Sequence, residues 1–181
     1  VRAGVGLPEA EQARLRELNA TLAELQSSFG RRALAGSNAA AVLVTDETEL
    51  AGVSQASKAG ARAAAEARGL TGWLLELDSC TPQEVLAEVA DRQLRQRVHE
   101  ASVGRGWQGE YDTRDLAVAI ARARAERATL LGYPSHSEYV AADACAKTSE
   151  AVHAMLNRLA PPAVRNAKAE AADLQSLQSE P

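Results

Sequence analysis

The chain has 181 residues, enough for one helical domain or for a large piece of a bigger protein, and its formal net charge at pH 7 is −4. Because acidic and basic side chains are interspersed, no nucleic acid is predicted as a partner, and the lack of a run of about 18 apolar residues predicts no membrane partner. Hydrophobic residues make up 46% of the sequence but aromatic residues only 3%, so a core must come mainly from leucine and valine.

The first predicted helix covers residues 8–35. Pro8 suits the first helical turn, and the acidic side chains of Glu9 and Glu11 favour the positive end of the helix dipole. Five large apolar residues then recur at alternating spacings of three and four: Leu15, Leu18, Leu22, Leu25 and Phe29. Two heptads are too few for a coiled coil, so this stripe predicts packing on neighbouring helices, with dimerisation as the alternative.

Two short, apolar and β-branched segments follow, at residues 40–45 and 70–77. They predict strands that pair as a minor two-stranded ribbon. The alanine-rich segment between them predicts a helix that is capped by Ser54 and ended by Gly69. A ribbon of this size is marginal in isolation, so we expect it to rest on helices.

The next segment is predicted to be helical from Thr81, with a restart or bend at Asp91. The basic stretch 92–105 is flanked by acidic residues, which indicates a solvated, ion-paired helical face. The segment after it contains three glycines, Gly104, Gly106 and Gly109. These predict an ordinary loop, because a phosphate-binding loop would need a following lysine and a preceding strand.

A long helix is predicted to begin after Asp112 or Thr113 and to end at Gly132, which suits a cap with positive φ. Five of its residues are predicted to face inward: Leu116, Ile120, Ala123, Leu130 and Leu131. Pro134 blocks continuation, and Ser135 with Glu138 three residues later forms the pattern of a capping box for the next helix.

Thr148 is predicted to cap the last helix. Because proline removes a hydrogen bond and clashes with the preceding turn, Pro161 and Pro162 predict a kink or break, followed by helix again over residues 163–178. This pair is also the predicted place of a sub-boundary within an otherwise single helical unit, residues 1–181.

The cysteines and histidines do not form a recognisable catalytic motif. A zinc peptidase motif, H-E-x-x-H, needs two histidines four residues apart, yet His99 and Glu100 are followed by Val103 at the second ligand position. His136 and His153 lie in other predicted helices. We therefore assign no catalytic, cofactor-binding or metal-binding residue to this chain and expect it to be inactive by itself.

Two cysteines, Cys80 and Cys145, are remote in sequence, and a disulfide between them stays open as an alternative. Low cysteine content without a visible secretion signal fits a reduced compartment better, so a cytoplasmic location is predicted. A nucleophilic cysteine would need a base and an orienting group, and the sequence places His136 against neither thiol.

The amino-acid sequences of several segments resemble those of the zinc oligopeptidase family that contains thimet oligopeptidase and bacterial peptidyl-dipeptidase. The most telling stretch is 122–148, with RAERATLLGY, then EY, then AKT. Further similar segments occur in the family's order: RLRELNATLAELQSSFG, TDETELAGVS, WLLELD, RQLRQRVHEASVGRG, YDTRDL and NRLAPPAVRNAKAEAADLQ. One departure is Ala144 and Cys145 before AKT, where the family commonly has a lysine and a methionine.

The resemblance implies a mainly α fold that is part of a larger clam-shell metallopeptidase. Residues 1–181 would be its N-terminal, non-zinc part and would contribute a non-catalytic wall of the substrate channel. The whole enzyme would hydrolyse short peptides with a zinc-activated water. In that enzyme the zinc and its ligands would lie in a C-terminal catalytic half, which would be the partner of this segment.

Two hypotheses from other classes remain open. The chain could be a self-standing helical protein-interaction module that binds a partner through the leucine stripe at residues 15–29. It could also be a stand-alone enzyme that uses Cys145 or the three dispersed histidines. The similar sequence segments, which occur in the family's order, favour the peptidase hypothesis. Hydrophobic periodicity does not distinguish it from the interaction-module hypothesis.

Overall fold

A computed structural model describes residues 3–77, 81–107 and 109–178, and this part of the chain is mainly α, as predicted. The helices are α1 (Glu9–Ala39), α2 (Gln55–Ala67), α3 (Thr81–Glu88), α4 (Arg92–Val103), α5 (Arg114–Leu130), α6 (His136–Ala141) and α7 (Ser149–Gln178). The strands are β1 (Val42–Val44) and β2 (Trp73–Leu75), and short 3₁₀ turns occur at Glu47–Leu50 and Gly109–Tyr111. Within the described ranges, no helix has the length and apolarity needed to cross a membrane.

The chain divides into two compact units. The first, the terminal unit, comprises Val1–Leu18 with Ala123–Pro181, and the second, the ribbon unit, comprises Asn19–Arg122. The predicted sub-boundary at residues 161–162 lies inside α7, within the terminal unit.

The ribbon unit contains the predicted two-stranded ribbon. Its strands pair antiparallel, with Val42 opposite Leu75, Leu43 opposite Leu74 and Val44 opposite Trp73. The ribbon rests on helices through one buried cluster: Val44, Leu50, Val53, Leu75, Leu77, Val85, Val89, Leu94 and Val98. The strands are shorter than predicted.

The residue before β2 has to be a glycine. Gly72 has a φ of +122°, and a Cβ at this position would lie 2.3 Å from the carbonyl oxygen of Val44. Any side chain would therefore clash with the backbone of the paired strand.

Both predicted ends of α2 are confirmed. The Ser54 hydroxyl accepts a hydrogen bond from the Ser57 backbone N–H at 3.1 Å. At the other end Gly69 has a φ of +68°, its N–H donates to Glu66, and the Leu70 N–H donates to Ala65. This is a Schellman motif, which satisfies two carbonyls at the end of the helix.

The basic stretch of α4 is only partly the solvated face that the sequence predicts. Asp91 caps the helix as predicted, with its carboxylate 2.6 Å from the Leu94 N–H, and Arg97 forms an exposed ion pair with Glu49. Arg95, in contrast, donates to the carbonyls of Val89 and Ala90 at the end of α3. This arginine binds backbone, so part of the basic stretch has a structural role.

The predicted stripe of α1 packs inside the fold. Leu15, Leu18 and Leu22 are buried, and Leu25 and Phe29 are half-buried. The helix also continues to Ala39, four residues further than predicted. Leu15, Leu18 and Leu22 therefore pack within the chain and are not exposed for contact with a partner or a second copy.

The end of α5 and the start of α6 follow the predicted capping pattern. Gly132 has a φ of +80°, its N–H donates to Thr129, and the Tyr133 N–H donates to Ala128. The Ser135 hydroxyl accepts from the Glu138 N–H at 3.2 Å. The predicted caps at Gly132 and Ser135 are confirmed.

The predicted break at Pro161 and Pro162 is wrong, whereas the alternative, a kink, stays a prediction. The helix α7 runs from Ser149 to Gln178 through both prolines, after a start at which Thr148 accepts from the Ala151 N–H as predicted. Ala160 and Ala163 flank the prolines directly, and Arg158 and Arg165 lie close by. These are strong helix formers, and the helix continues although two backbone donors are lost.

Candidate functional site

The three histidines lie on three different helices. His99 is exposed on α4 of the ribbon unit, whereas His136 and His153 lie on α6 and α7 of the terminal unit. One turn after His99, where a zinc peptidase places its second histidine, stands Val103, which is 60% exposed. Over the described ranges, no three or more His, Cys, Asp or Glu residues are grouped so that they could hold a metal.

His136 has a structural environment. Its Nδ1 is buried without a hydrogen-bond partner in the described part of the chain, and its ring stacks on Tyr139 with 6.2 Å between the centroids. Burial lowers the pKa of the imidazole, and the positive charges of Arg124 and Arg127 lower it further. The environment therefore favours the neutral ring, which packs as an aromatic residue.

The cysteine hypotheses gain no support from the structure. Cys145 is exposed in the segment between α6 and α7. Cys80 lies outside the described residues, so the disulfide alternative is not tested. A nucleophile at Cys145 would require an adjacent base and a group that orients it.

One open surface of the ribbon unit is a groove beside the end of α1, here called the α1 groove. It encloses about 580 Å³. Its lining contains six small residues, Gly36, Ala39, Ala40, Ala101, Gly104 and Gly106, and three larger polar ones, Glu100, Arg105 and Tyr111. A lining with few large side chains lets an extended chain approach the backbone closely.

The sides of the α1 groove are held by specific contacts. Arg105 donates to the Leu77 carbonyl at 2.6 Å and to the Ser102 carbonyl at 2.9 Å. Gly106, with a φ of +74°, accepts from the Thr113 N–H at 3.0 Å. Gly106 therefore lies in a turn that is tied to Thr113, and this turn forms part of one wall of the groove.

Close packing also fixes the opposite side of the groove. A Cβ on Gly36 would lie 3.0 Å from the Cβ of Tyr111, so the absence of a side chain at residue 36 lets α1 pack closely against the Tyr111 side chain. The sequence did not reveal this groove. A glycine inside a helix indicates low helix propensity, but it does not identify the element that packs against it.

A second surface is the exposed length of α7. None of its residues, 149–178, is buried. It carries six exposed large apolar side chains: Met155, Leu156, Leu159, Val164, Leu174 and Leu177. Apolar side chains in such number on one helix are typical of a surface that packs against further protein.

Comparison with known proteins gives a consistent result. A family model described as Peptidase family M3 matches residues 85–180. The dipeptidyl carboxypeptidase of Escherichia coli (strain K12) is 36% identical over 179 residues, which cover 98% of this chain and 26% of the relative.

Two other relatives carry the name oligopeptidase A. The Escherichia coli (strain K12) protein is 31% identical over 179 residues, covering 96% of this chain and 26% of the relative. The organellar oligopeptidase A, chloroplastic/mitochondrial, of Arabidopsis thaliana is 26% identical over 185 residues, covering 97% of this chain and 23% of the relative. The chain therefore spans about a quarter of the length of the curated relatives it matches.

Proposed function

The chain belongs to peptidase family M3, and on this premise we propose that it is a non-catalytic wall segment of the substrate channel in a zinc-dependent peptidase. The whole enzyme would hydrolyse short peptides as an oligopeptidase or a peptidyl-dipeptidase. The observation that carries the proposal is the match of nearly the whole chain to a quarter of a dipeptidyl carboxypeptidase.

The proposed role is non-catalytic because the residues present do not fit a zinc ion. Zinc in a catalytic site takes three protein ligands, usually His with Glu or Asp, that converge on one point. In this chain His99 lacks the second histidine on its helix, and Val103 stands in its place. We therefore place the zinc, its ligands and the general base in the remaining three quarters of the family's fold.

The α1 groove supports the wall role. An extended peptide presents backbone N–H and carbonyl groups along its length, and a lining rich in glycine and alanine allows close approach to them. Glu100 in the same lining can attract a peptide ammonium group. The Arg105 guanidinium, held by two carbonyls, places a positive charge near the same opening.

The exposed helix α7 supports placement in a larger fold. We propose that its apolar side chains pack against the catalytic half, which would bury surface that is exposed here. We also propose a cytoplasmic location. The low cysteine content supports it, and one relative from Arabidopsis thaliana, 27% identical over 145 residues, is called a probable cytosolic oligopeptidase A.

A chimera tests the proposal. The matched section of the Escherichia coli dipeptidyl carboxypeptidase is replaced by this chain, and cleavage of a quenched fluorescent peptide is measured with and without a chelator. We expect cleavage by the chimera that the chelator abolishes, and no cleavage by the 181-residue chain. Cleavage by the chain itself, insensitive to chelator, would contradict the non-catalytic role.

A pair of variants in that chimera tests the wall role separately. Ala39→Tyr adds a large side chain to the lining of the α1 groove, whereas Ala20→Tyr adds it on an exposed part of α1 outside the groove. We expect Ala39→Tyr to lower kcat/KM for longer peptides more than for short ones. Equal kinetics of the two variants would remove the groove from the substrate path.

The interaction-module hypothesis loses the surface on which it depended. Leu15, Leu18 and Leu22 are buried within the chain, with 8%, 3% and 3% exposure, and are not available to a partner.

A further inference from the structure

The ribbon unit contains a partly open cavity that the peptidase role does not use. It lies between α2, β2, α3 and the 3₁₀ turn Glu47–Leu50, and it holds about 200 Å³. Its interior is lined mainly by leucine, valine and alanine, including Leu50, Val53, Leu74 and Val85. All of this lining lies within one compact unit.

The size of the cavity limits the ligand to a small molecule. Pockets for drug-sized ligands begin at about 300 Å³, so such ligands are too large. An apolar cavity of roughly 150 Å³ already admits a molecule of the size of benzene. A single apolar amino-acid side chain is of this size, whereas a peptide of several residues is not.

Charged groups of both signs reach the cavity beside the first turn of α2. Lys58 lines it with a side chain only 15% exposed, and its Nζ lies 3.5 Å from Glu47. Glu88 lines it from α3, and its carboxylate accepts from the Ser54 backbone N–H at 3.3 Å. Ser54 is the cap of α2 and Lys58 lies one turn later, so both charged residues lie beside the first turn of α2.

The carboxylate of Glu88 is available for a cationic ligand group. Within the described residues it forms no ion pair, whereas Glu76, the other carboxylate of the lining, is paired with Arg68. Lys58 is partly neutralised by Glu47 at the long distance of 3.5 Å, which leaves its ammonium able to bind a second carboxylate.

We propose that this cavity binds one apolar α-amino acid as a zwitterion. The side chain occupies the apolar interior, the ammonium group lies beside Glu88 and the carboxylate lies beside Lys58. Apolar burial supplies the attraction, and the two opposite charges select a molecule that carries both groups on one carbon. Polar side chains are rejected, because the interior offers them few hydrogen-bond partners.

L-Leucine is the probe that tests the site. Titration of the ¹⁵N-labelled chain is expected to give saturable shifts of the backbone amides of Gly60, Ala61, Ala64 and Leu75, with a Kd on the order of 1 mM. L-Leucinol lacks the carboxylate, 4-methylpentanoate lacks the ammonium group, and L-glutamate carries a charged side chain. Each of the three is expected to bind more weakly than leucine.

Variants connect the binding to the cavity. Lys58→Met and Glu88→Gln are each expected to weaken leucine binding by about fivefold. Ala64→Phe is expected to abolish it by filling the interior. Arg62→Gln is the matched control, because Arg62 is on the same helix, with a side chain 67% exposed, and lies outside the lining.

The outcomes separate clearly. NMR spectra recorded without leucine show whether each variant is folded. If Ala64→Phe does not fold, Lys58→Met and Glu88→Gln still test the proposal. Absence of saturable shifts with leucine overturns the proposal, as does binding that is equally strong in both charge variants. Loss of binding in Arg62→Gln to the same extent as in the cavity variants overturns it as well.

Discussion

The carboxylate of Glu138 accepts a hydrogen bond from the backbone N–H of Ser149, with 3.2 Å between Oε1 and N. Glu138 lies in α6 and Ser149 is the first residue of α7, so the bond joins two consecutive helices. A second bond supports it, since the Ser149 hydroxyl donates to the Ser137 hydroxyl at 2.9 Å. The negative charge also lies at the positive end of the α7 dipole, where it is favourable.

Replacement of Glu138 by alanine is expected to lower the free energy of unfolding by about 1 kcal/mol, because an N–H at the start of α7 loses its partner. Glu138→Gln keeps an acceptor oxygen and is expected to lose less. Urea unfolding measures both. Glu24→Ala, at an exposed position of α1, is the control and is expected to change little. Equal stability of Glu138→Ala and the control would show that the bond is not formed.

Gly52 is expected to be the glycine that tolerates replacement least. Its φ is +93°, and a Cβ there would lie 2.1 Å from the carbonyl oxygen of Glu88. Gly52→Ala is therefore expected to cost at least about 2 kcal/mol in urea unfolding, from strain and backbone displacement. Gly30→Ala, at an open position of α1, is the control and is expected to add roughly 0.5–1 kcal/mol. If Gly52→Ala and Gly30→Ala lower the free energy of unfolding by similar amounts, residue 52 does not lie as close to the Glu88 carbonyl as the structure shows.

The parts of the fold that depend on local sequence could be predicted. Gly69 and Gly132 end helices with positive φ, and Ser54 and Ser135 begin them, because these residue types form caps with neighbours only a few positions away. The pairing of the two strands was also predictable, since both are short, apolar and separated by a single helix.

The parts that depend on distant residues could not be predicted. Arg105 looks like one more surface cation in the sequence, yet it binds the carbonyl of Leu77, 28 residues away. Glu138 has the position of a capping-box residue, but its side chain bonds to Ser149 in the next helix. The α1 groove likewise requires that Gly36 and Tyr111 meet, which no local pattern encodes.

His136 is expected to make stability depend on pH. Burial is the first cause of its lowered pKa, followed by Arg124 and Arg127, so the folded chain takes up the proton at a lower pH than the unfolded chain, whose histidine titrates at about 6.5. Between these two values the unfolded chain binds more protons. The free energy of unfolding is therefore expected to be highest above about pH 6.5 and to fall as the pH drops below it.

Variants isolate this effect in urea unfolding measured from about pH 8 to pH 5.5. His136→Phe keeps a ring beside Tyr139 but cannot titrate, so its loss of stability over this range is expected to be smaller than that of the parent chain. His153→Gln, at an exposed position of α7, is expected to leave the pH dependence unchanged. A parent chain and His136→Phe variant with parallel pH profiles would assign the dependence to other groups.

The proline pair of α7 is expected to weaken the helix that it does not break. Pro161 and Pro162 have no N–H to donate, so the carbonyls of Asn157 and Arg158 lose their helical partners, and each proline costs roughly 3 kcal/mol relative to alanine in a helix interior. Because no residue of α7 is buried, the second half of the helix is expected to open locally, without global unfolding.

Replacement of both Pro161 and Pro162 by alanine should therefore slow amide hydrogen exchange over residues 163–178 and increase the helical circular dichroism signal. Ala167→Gly should speed exchange in the same segment. Exchange that is as fast in the alanine variant as in the parent chain would mean that the prolines do not limit the stability of α7.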